Sequence, residues 1–344
     1  MKAVRFHAHG GPDVLQYEDA PDPQVRAGHV CIRVAACALN HLDLWQRRGL
    51  DRVRLPMPHI SGADVSGTIA EIGADVAGLT VGQRVMLQPG VSCGRCEKCL
   101  AGRDFLCRSY DVLGYQSDGG YAERVVVPAA NVIPIPDHID FVSAAAFPLT
   151  FLTAWHMLYA GGGLTSASTV LVVAAGSGVG QAAVQIAKAA RARVITTARG
   201  ADKCARAQAL GADHVVDSAS EDVAKRVKAL TDGRGVDIVI EHVGVATWEA
   251  SVRSLTTGGR LVTCGATTGY DATLDLRHLF ARQLTFVGSY MGAKQELLQA
   301  ADGFFRGWFA PVVDQTFPLA EARAAHERLE NGAQFGKIVL TSTI

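Results

Sequence analysis

The stretch Thr169-Val170-Leu171-Val172-Val173-Ala174-Ala175-Gly176-Ser177-Gly178-Val179-Gly180-Gln181-Ala182-Ala183-Val184-Gln185-Ile186-Ala187-Lys188-Ala189-Ala190 decides the fold. Its apolar run from Val170 to Ala175 is too short for a helix. It meets Gly176, Ser177, Gly178 and Gly180 before apolar residues resume at helical spacing from Gln181. That order reads as strand, tight turn and helix. Small residues in such a turn let the main chain approach a pyrophosphate, and the helix start offers unpaired N–H groups and the positive end of its dipole. Gly176, Ser177, Gly178, Val179 and Gly180 are therefore candidate cofactor-binding residues. Close packing of a strand on a helix also selects small residues, so the turn is read together with its surroundings.

Downstream, one pattern repeats. Residues 193–197 read as a strand, 202–210 as a helix ending at Gly211, 214–217 as a strand and 220–230 as a helix. Three more apolar segments follow at 236–241, 260–264 and 284–288, with a helix at 247–255 between the first two. Strands alternating with helices imply an α/β domain whose parallel sheet is covered on both faces. Six strands opening on a phosphate turn fit the doubly wound Rossmann dinucleotide fold, here expected over 152–290. Val243 and Gly244, and Gly265, Ala266 and Thr267, follow strands at the carboxyl edge where ligands of such folds bind. Each also has a plainer reading as turn chemistry.

The second strand of an NAD-specific fold ends in an acid that binds the ribose hydroxyls. Here Ala198 stands in that place, and Arg199 and Lys203 follow. They suit a 2′-phosphate, or else a solvated helix start. The expected cofactor is NADPH, with NADH as the alternative.

At 344 residues, nearly half of them apolar, the chain is long enough for two domains. Lys plus Arg balances Asp plus Glu at 33 each, and no basic run is interleaved with aromatics, which argues against a nucleic-acid surface. No segment has the roughly 18 consecutive apolar residues of a membrane span, and residues 1–7 lack the apolar stretch of a signal peptide. A cytoplasmic protein acting on small molecules, with no membrane partner, is expected.

Residues 1–130 read differently. Short β-rich runs at 30–35, 64–72, 83–87 and 122–127 are divided by Gly, Pro and Asp clusters, and only 40–48 looks helical. Helices are expected at 294–306 and 319–330. The final apolar run, Gly336-Lys337-Ile338-Val339-Leu340, has no neighbouring strand partner and is expected to return to the first domain's sheet. The cofactor domain would then be inserted into a mostly β domain made of 1–151 and 291–344.

Four of the eight cysteines, Cys93, Cys96, Cys99 and Cys107, form a C-x2-C-x2-C-x7-C array in a lobe at about 90–110. Thiolates at that spacing can close a tetrahedral shell around one structural Zn²⁺. Two disulfides, or free core cysteines, are the competing readings. Cys31, Cys37, Cys204 and Cys264 sit in apolar segments and read as small core residues.

In this order of parts the chain resembles the medium-chain dehydrogenase/reductase superfamily, which includes zinc alcohol dehydrogenases and zinc-free quinone oxidoreductases. The resemblance spans nearly the whole chain and implies a GroES-like catalytic domain, a zinc lobe, a Rossmann domain and a homodimer or homotetramer. The zinc enzymes' first catalytic ligand is the Cys of a Cys-His-Thr-Asp motif, and Asn40-His41-Leu42-Asp43 stands here. Their second is the His of Gly-His-Glu, and Gly62-Ala63-Asp64 stands here; the third ligand's region falls near Leu149. The ligands and the proton-relaying hydroxyl, replaced by Leu42, are all missing.

The resemblance therefore implies an enzyme that reduces a quinone or an α,β-unsaturated carbonyl without catalytic metal. Asn40 would line the nicotinamide site, Thr153 would contact the nicotinamide end, and His41 and Lys337 would lie near the cofactor. Asn40 also suits a helix N-cap. His41 and His59 have the pKa range of a proton donor. His41, Asp43, His59 and Asp64 are also metal-capable types, so an alcohol dehydrogenase or aldehyde reductase with a variant zinc site stays open. So does a non-catalytic NADPH-binding protein.

Overall fold

In the computed structural model, residues 1–50 and 54–342 are described. The chain divides into two compact units, one formed by Met1–Leu149 with Pro311–Ile344 and the other by Thr150–Ala310.

The second unit is built on a six-stranded parallel sheet. Its spatial order is His214–Asp217, Arg193–Ala198, Thr169–Val172, Val236–Glu241, Leu255–Thr263 and Thr285–Gly288. The first strand in sequence is central, so the chain winds outward one way, returns, and winds out the other, leaving a switch point beside Thr169–Val172. Val170, Leu171, Val172, Val194, Ile195, Val239 and Ile240 are fully buried. Such continuous apolar runs are what a sheet covered on both faces requires.

Most elements begin within a few residues of their expected positions, and local chemistry explains the shifts. The helix Val223–Leu230 starts later than 220 because the Asp222 carboxylate accepts the Lys225 N–H at 3.0 Å and caps it. The strand Leu255–Thr263 starts earlier than 260, since the buried Leu255 already pairs with Val236 before a register shift. Among the described residues no helix is long and apolar enough to cross a membrane.

The helix Lys294–Phe305 belongs to this second unit, whereas the sequence reading assigned 291–310 to the first. Side chains far apart in sequence tie it there. The His156 ring pairs with Glu296 at 2.8 Å, and Phe151 stacks on Phe309 with centroids 5.5 Å apart.

The first unit holds a seven-stranded sheet. Its path runs Val313–Pro318, Lys337–Thr341, His29–Ala38, Asp64–Ile72, Arg84–Leu87 and Val132–Pro134, and Arg124–Pro128 also pairs with His29–Ala38. Lys337–Thr341 returns to this sheet antiparallel to His29–Ala38 and parallel to Val313–Pro318. The return brings Lys337 beside Asn40 and Asp64, 297 and 273 positions away in the chain. The short helix His41–Arg48 starts directly after the His29–Ala38 strand, with Asn40 as its N-cap.

Candidate active site and candidate metal site

Three buried polar side chains meet in the first unit. The Lys337 ammonium donates to Asn40 Oδ1 at 2.6 Å and to Asp64 Oδ2 at 2.8 Å. Asn40 Nδ2 donates to the same Asp64 oxygen at 3.0 Å. Asp64 Oδ1 accepts the backbone N–H of Leu149 at 2.8 Å. Asp64 is fully buried, Lys337 is 2% exposed and Asn40 is 8% exposed. The orientation of the Asn40 amide follows from its partners, since its oxygen must face the ammonium and its nitrogen the carboxylate. Buried charges persist only when paired and hydrogen-bonded, and this pair is both.

A second buried string adjoins the first. The Asn40 backbone N–H donates to Asp43 Oδ2 at 2.7 Å, and the same oxygen accepts Tyr121 Oη–H at 3.1 Å. Tyr121 Oη lies 3.2 Å from His326 Nε2, and His326 Nδ1 lies 3.2 Å from Arg47 Nη1. Arg47 also pairs with Glu330 near the surface.

The proton positions in this string are fixed by the arginine, which can only donate. His326 Nδ1 must accept from it, His326 Nε2–H then donates to Tyr121, and Tyr121 donates to Asp43. Burial and the neighbouring Arg47 charge push His326 down to about 3, which keeps the ring neutral as this polarity needs. Burial raises Asp43 to about 6 against the hydrogen bond from Asn40, and it pushes Tyr121 well above its ordinary range. Gly62, at φ 109°, is required here, because a Cβ on it would lie 2.6 Å from the Tyr121 ring.

The other expected catalytic residues stand elsewhere. His41 is the first residue of the His41–Arg48 helix and half-buried, with its ring 6.4 Å from that of Trp45. His59 is buried against Phe6, its Nε2 3.1 Å from the Gly114 carbonyl, and burial lowers its pKa. That hydrogen bond holds the His59 ring against the backbone. Thr153 lies buried in the helix Pro148–His156. Among the described residues, His41, Asp43, His59 and Asp64 do not converge as a metal-holding group.

In the second unit the expected nucleotide turn joins Thr169–Val172 to the helix Gly178–Ala189. Ser177 Oγ caps that helix by accepting the Gly180 N–H at 2.8 Å. A Cβ on Gly180 would lie 2.2 Å from the Ala174 carbonyl oxygen, so only glycine fits. Ser177 Oγ is also 2.7 Å from His242 Nε2, while His242 Nδ1 is buried with no partner among the described residues. An orphaned nitrogen beside such a turn fits a ligand that brings its own polar atoms. His242 escaped the sequence reading, although its position at the end of Val236–Glu241 places it on the ligand edge of the sheet.

Val243, Gly244, Gly265, Ala266 and Thr267 share that edge. Arg199 is exposed directly after the Arg193–Ala198 strand, and Lys203 lies in the helix Ala201–Ala209. Asp217 also reaches this loop, its Oδ1 accepting the Gly200 and Ala219 N–H groups at 2.9 Å each.

The Cys93, Cys96, Cys99 and Cys107 sulfurs all lie within 4.8 Å of one another. Cys96 Sγ is 3.5 Å and Cys93 Sγ 3.9 Å from Cys99 Sγ. Tetrahedral zinc with bonds of about 2.3 Å needs sulfurs roughly 3.8 Å apart, and the two separations from Cys99 Sγ lie close to that spacing. All eight cysteines are unbridged, and Cys204 and Cys264 are only partly buried.

Comparison with known proteins agrees with this layout. The alcohol dehydrogenase GroES-like domain family matches residues 26–137, and the zinc-binding dehydrogenase family matches residues 178–305. The chain belongs to the medium-chain dehydrogenase/reductase superfamily. It is similar to a quinone oxidoreductase of Pseudomonas aeruginosa, 32% identical over 98% of this chain and 99% of the relative. It is also similar to an L-threonine 3-dehydrogenase of Rhizobium etli, 31% identical over 99% and 98% of the two chains. A crystal structure titled an NAD-dependent alcohol dehydrogenase superposes with a TM-score of 0.96 at 47% identity, covering 99% of both chains. As a member of this superfamily the chain is an NAD(P)-dependent oxidoreductase.

Proposed function

We propose that the protein transfers hydride from NADPH to a quinone or an α,β-unsaturated carbonyl without a catalytic metal. The observation that carries this reading is the contact of Lys337 with Asn40 and Asp64. A protein cation already engages the two residues that stand in the zinc-ligand segments of the alcohol dehydrogenases. A divalent ion held by the same oxygens would meet an ammonium at hydrogen-bond distance.

Without a strong Lewis acid a plain ketone or aldehyde is a poor acceptor, because the charge on its oxygen has nowhere to spread. A conjugated carbonyl spreads that charge as an enolate. Hydride adds to the β-carbon, the π pair moves to the carbonyl oxygen, and the α-carbon is later protonated by water or by His41. Asn40 would orient the carbonyl through an amide hydrogen.

When bound, the reduced nicotinamide supplies the hydride and its two electrons. Gly176, Ser177, Gly178, Val179 and Gly180 would receive the pyrophosphate, with His242, Val243, Gly244, Gly265, Ala266 and Thr267 along the same edge and Thr153 toward the nicotinamide. Arg199 with Lys203, following Ala198, favours a 2′-phosphate. The likeness to a structure named as an NAD-dependent alcohol dehydrogenase, together with the Asp217 carboxylate at the same loop, supports NADH as a second reading.

The test is a panel of quinones, enones, ketones and alcohols assayed with NADPH, with and without a chelator of accessible metal. Quinone or enone reduction that survives chelation is expected. Rapid oxidation of simple alcohols that a chelator abolishes would replace this reading with a metal-dependent alcohol dehydrogenase. Absence of turnover with every acceptor would leave a nucleotide-binding protein.

A further inference from the structure

Lys337 and Asn40 bring five side-chain N–H hydrogens into their cluster with Asp64, and three of them make the bonds within it. An ammonium has three hydrogens, and Lys337 spends one on Asn40 Oδ1 and one on Asp64 Oδ2. A carboxamide has two, and Asn40 spends one on Asp64 Oδ2. The second Asp64 oxygen is already engaged by the Leu149 N–H. One N–H on Lys337 and one on Asn40 are left over, on atoms held together by a shared carboxylate oxygen and by their own 2.6 Å contact.

We propose that Lys337 Nζ and Asn40 Nδ2 form a two-donor oxyanion site, with Lys337 as a catalytic residue that takes the enolate or phenolate oxygen of the reduced acceptor. The proposal rests on the function above only for the identity of that oxygen. Its physical basis is preorganisation. Both donors are desolvated and fixed before any ligand arrives, so they need no reorganisation when negative charge develops, and one carries a full positive charge. The compensating Asp64 charge holds the ammonium in place without occupying its remaining hydrogen. Asp64 is thus a positioning residue.

The step balances without further reagents. Hydride forms the C–H bond at the β-carbon, the C=C π pair shifts to give the enolate, and the enolate oxygen is held by the two N–H groups. Solvent returns the proton at the α-carbon, and the nicotinamide leaves oxidised.

The experiment uses 4-nitrophenol, whose phenolate is yellow and whose phenol is not, titrated against the whole protein over a range of pH. An oxyanion site favours the bound phenolate, so the wild type should lower the probe's ionisation point by at least one pH unit, roughly tenfold in its ionisation constant. Lys337→Met should abolish the shift, and Lys337→Arg should keep part of it. Because Lys337→Met leaves Asp64 buried and unpaired, the double variant Asp64→Asn with Lys337→Met removes the cation without stranding a charge.

In enone reduction the same variants should lose roughly 10²–10³-fold in kcat at saturating NADPH, with NADPH binding followed by fluorescence so that weaker cofactor binding is told apart from a slower chemical step. A wild type that binds no phenolate, or variants that shift the probe as the wild type does, overturn the proposal. A probe shift that depends on Lys337 in a protein that reduces no enone or quinone keeps the oxyanion site and overturns the proposed substrate class.

Discussion

Asp43 is nearly fully buried yet accepts only two hydrogen bonds, from the Asn40 N–H and Tyr121 Oη–H. Loss of water outweighs them and raises its pKa from 3.8 to about 6. Between those values the folded state keeps a proton that the unfolded chain has released, so the contribution of this group to stability falls as pH rises through that window. Asp43→Asn removes the titration. Urea unfolding at a series of pH values should show the variant gaining on the wild type from about pH 4 to about pH 6, with a constant difference above. A difference independent of pH would mean that Asp43 titrates as an ordinary carboxylate. The Lys337 and Asp64 pair belongs to a different regime, where removing one partner alone strands the other at a cost of about 3–5 kcal/mol.

At the scale of elements, the loop at 93–107 has little else to hold it. Of its four cysteines only Cys107 is buried, and the helix Glu97–Leu100 has one turn and no buried residue. Zinc held by four thiolates would supply the folding energy that this segment lacks in apolar contacts. Elemental analysis should give one zinc per chain. Cys99→Ser should lower that content and the thermal stability while changing kcat by less than about threefold, because a closed shell leaves no ligand position for substrate. Two zincs per chain would refute the single site.

The elements that carry the nucleotide turn were legible in the sequence because glycine spacing and apolar runs are local signals. The strand His214–Asp217 matches its expected limits, and the helix Gly178–Ala189 starts three residues before the expected Gln181, within the glycines of the turn. The strand Val313–Pro318 and the helix Leu276–Ala281 gave no such signal. The first buries only Phe317 and exposes Gln315, Thr316 and Pro318, and the second exposes Leu276 and Phe280, so neither has a clean apolar period. The site was legible only in part. Asn40 could be picked out by resemblance, but its bonds to Asp64 and Lys337 join residues 24 and 297 positions away. His326 and Arg47 were missed for the same reason, because a buried polar string has no periodicity along the chain.

For the molecule as a whole, nucleotide binding should be readable in the stability of the intact chain. A ligand that binds only the folded state at about a hundred times its Kd adds about 2.7 kcal/mol. NADPH should therefore raise Tm more than NADH at equal concentration, and Arg199→Ala should narrow the gap. Equal shifts from both nucleotides in the unmodified protein would favour the NADH reading.

The first unit is discontinuous in sequence, with the whole of Thr150–Ala310 lying between its two parts. On the ribosome Asn40 and Asp64 emerge early, and the lysine that neutralises Asp64 emerges only after the intervening unit has been made. Until then the sheet around Asp64 closes over an unpaired carboxylate or stays open. A chain ending before Lys337 would lack the cation that meets the buried Asp64 carboxylate at 2.8 Å, and the first unit would then carry the cost of a buried charge without its partner.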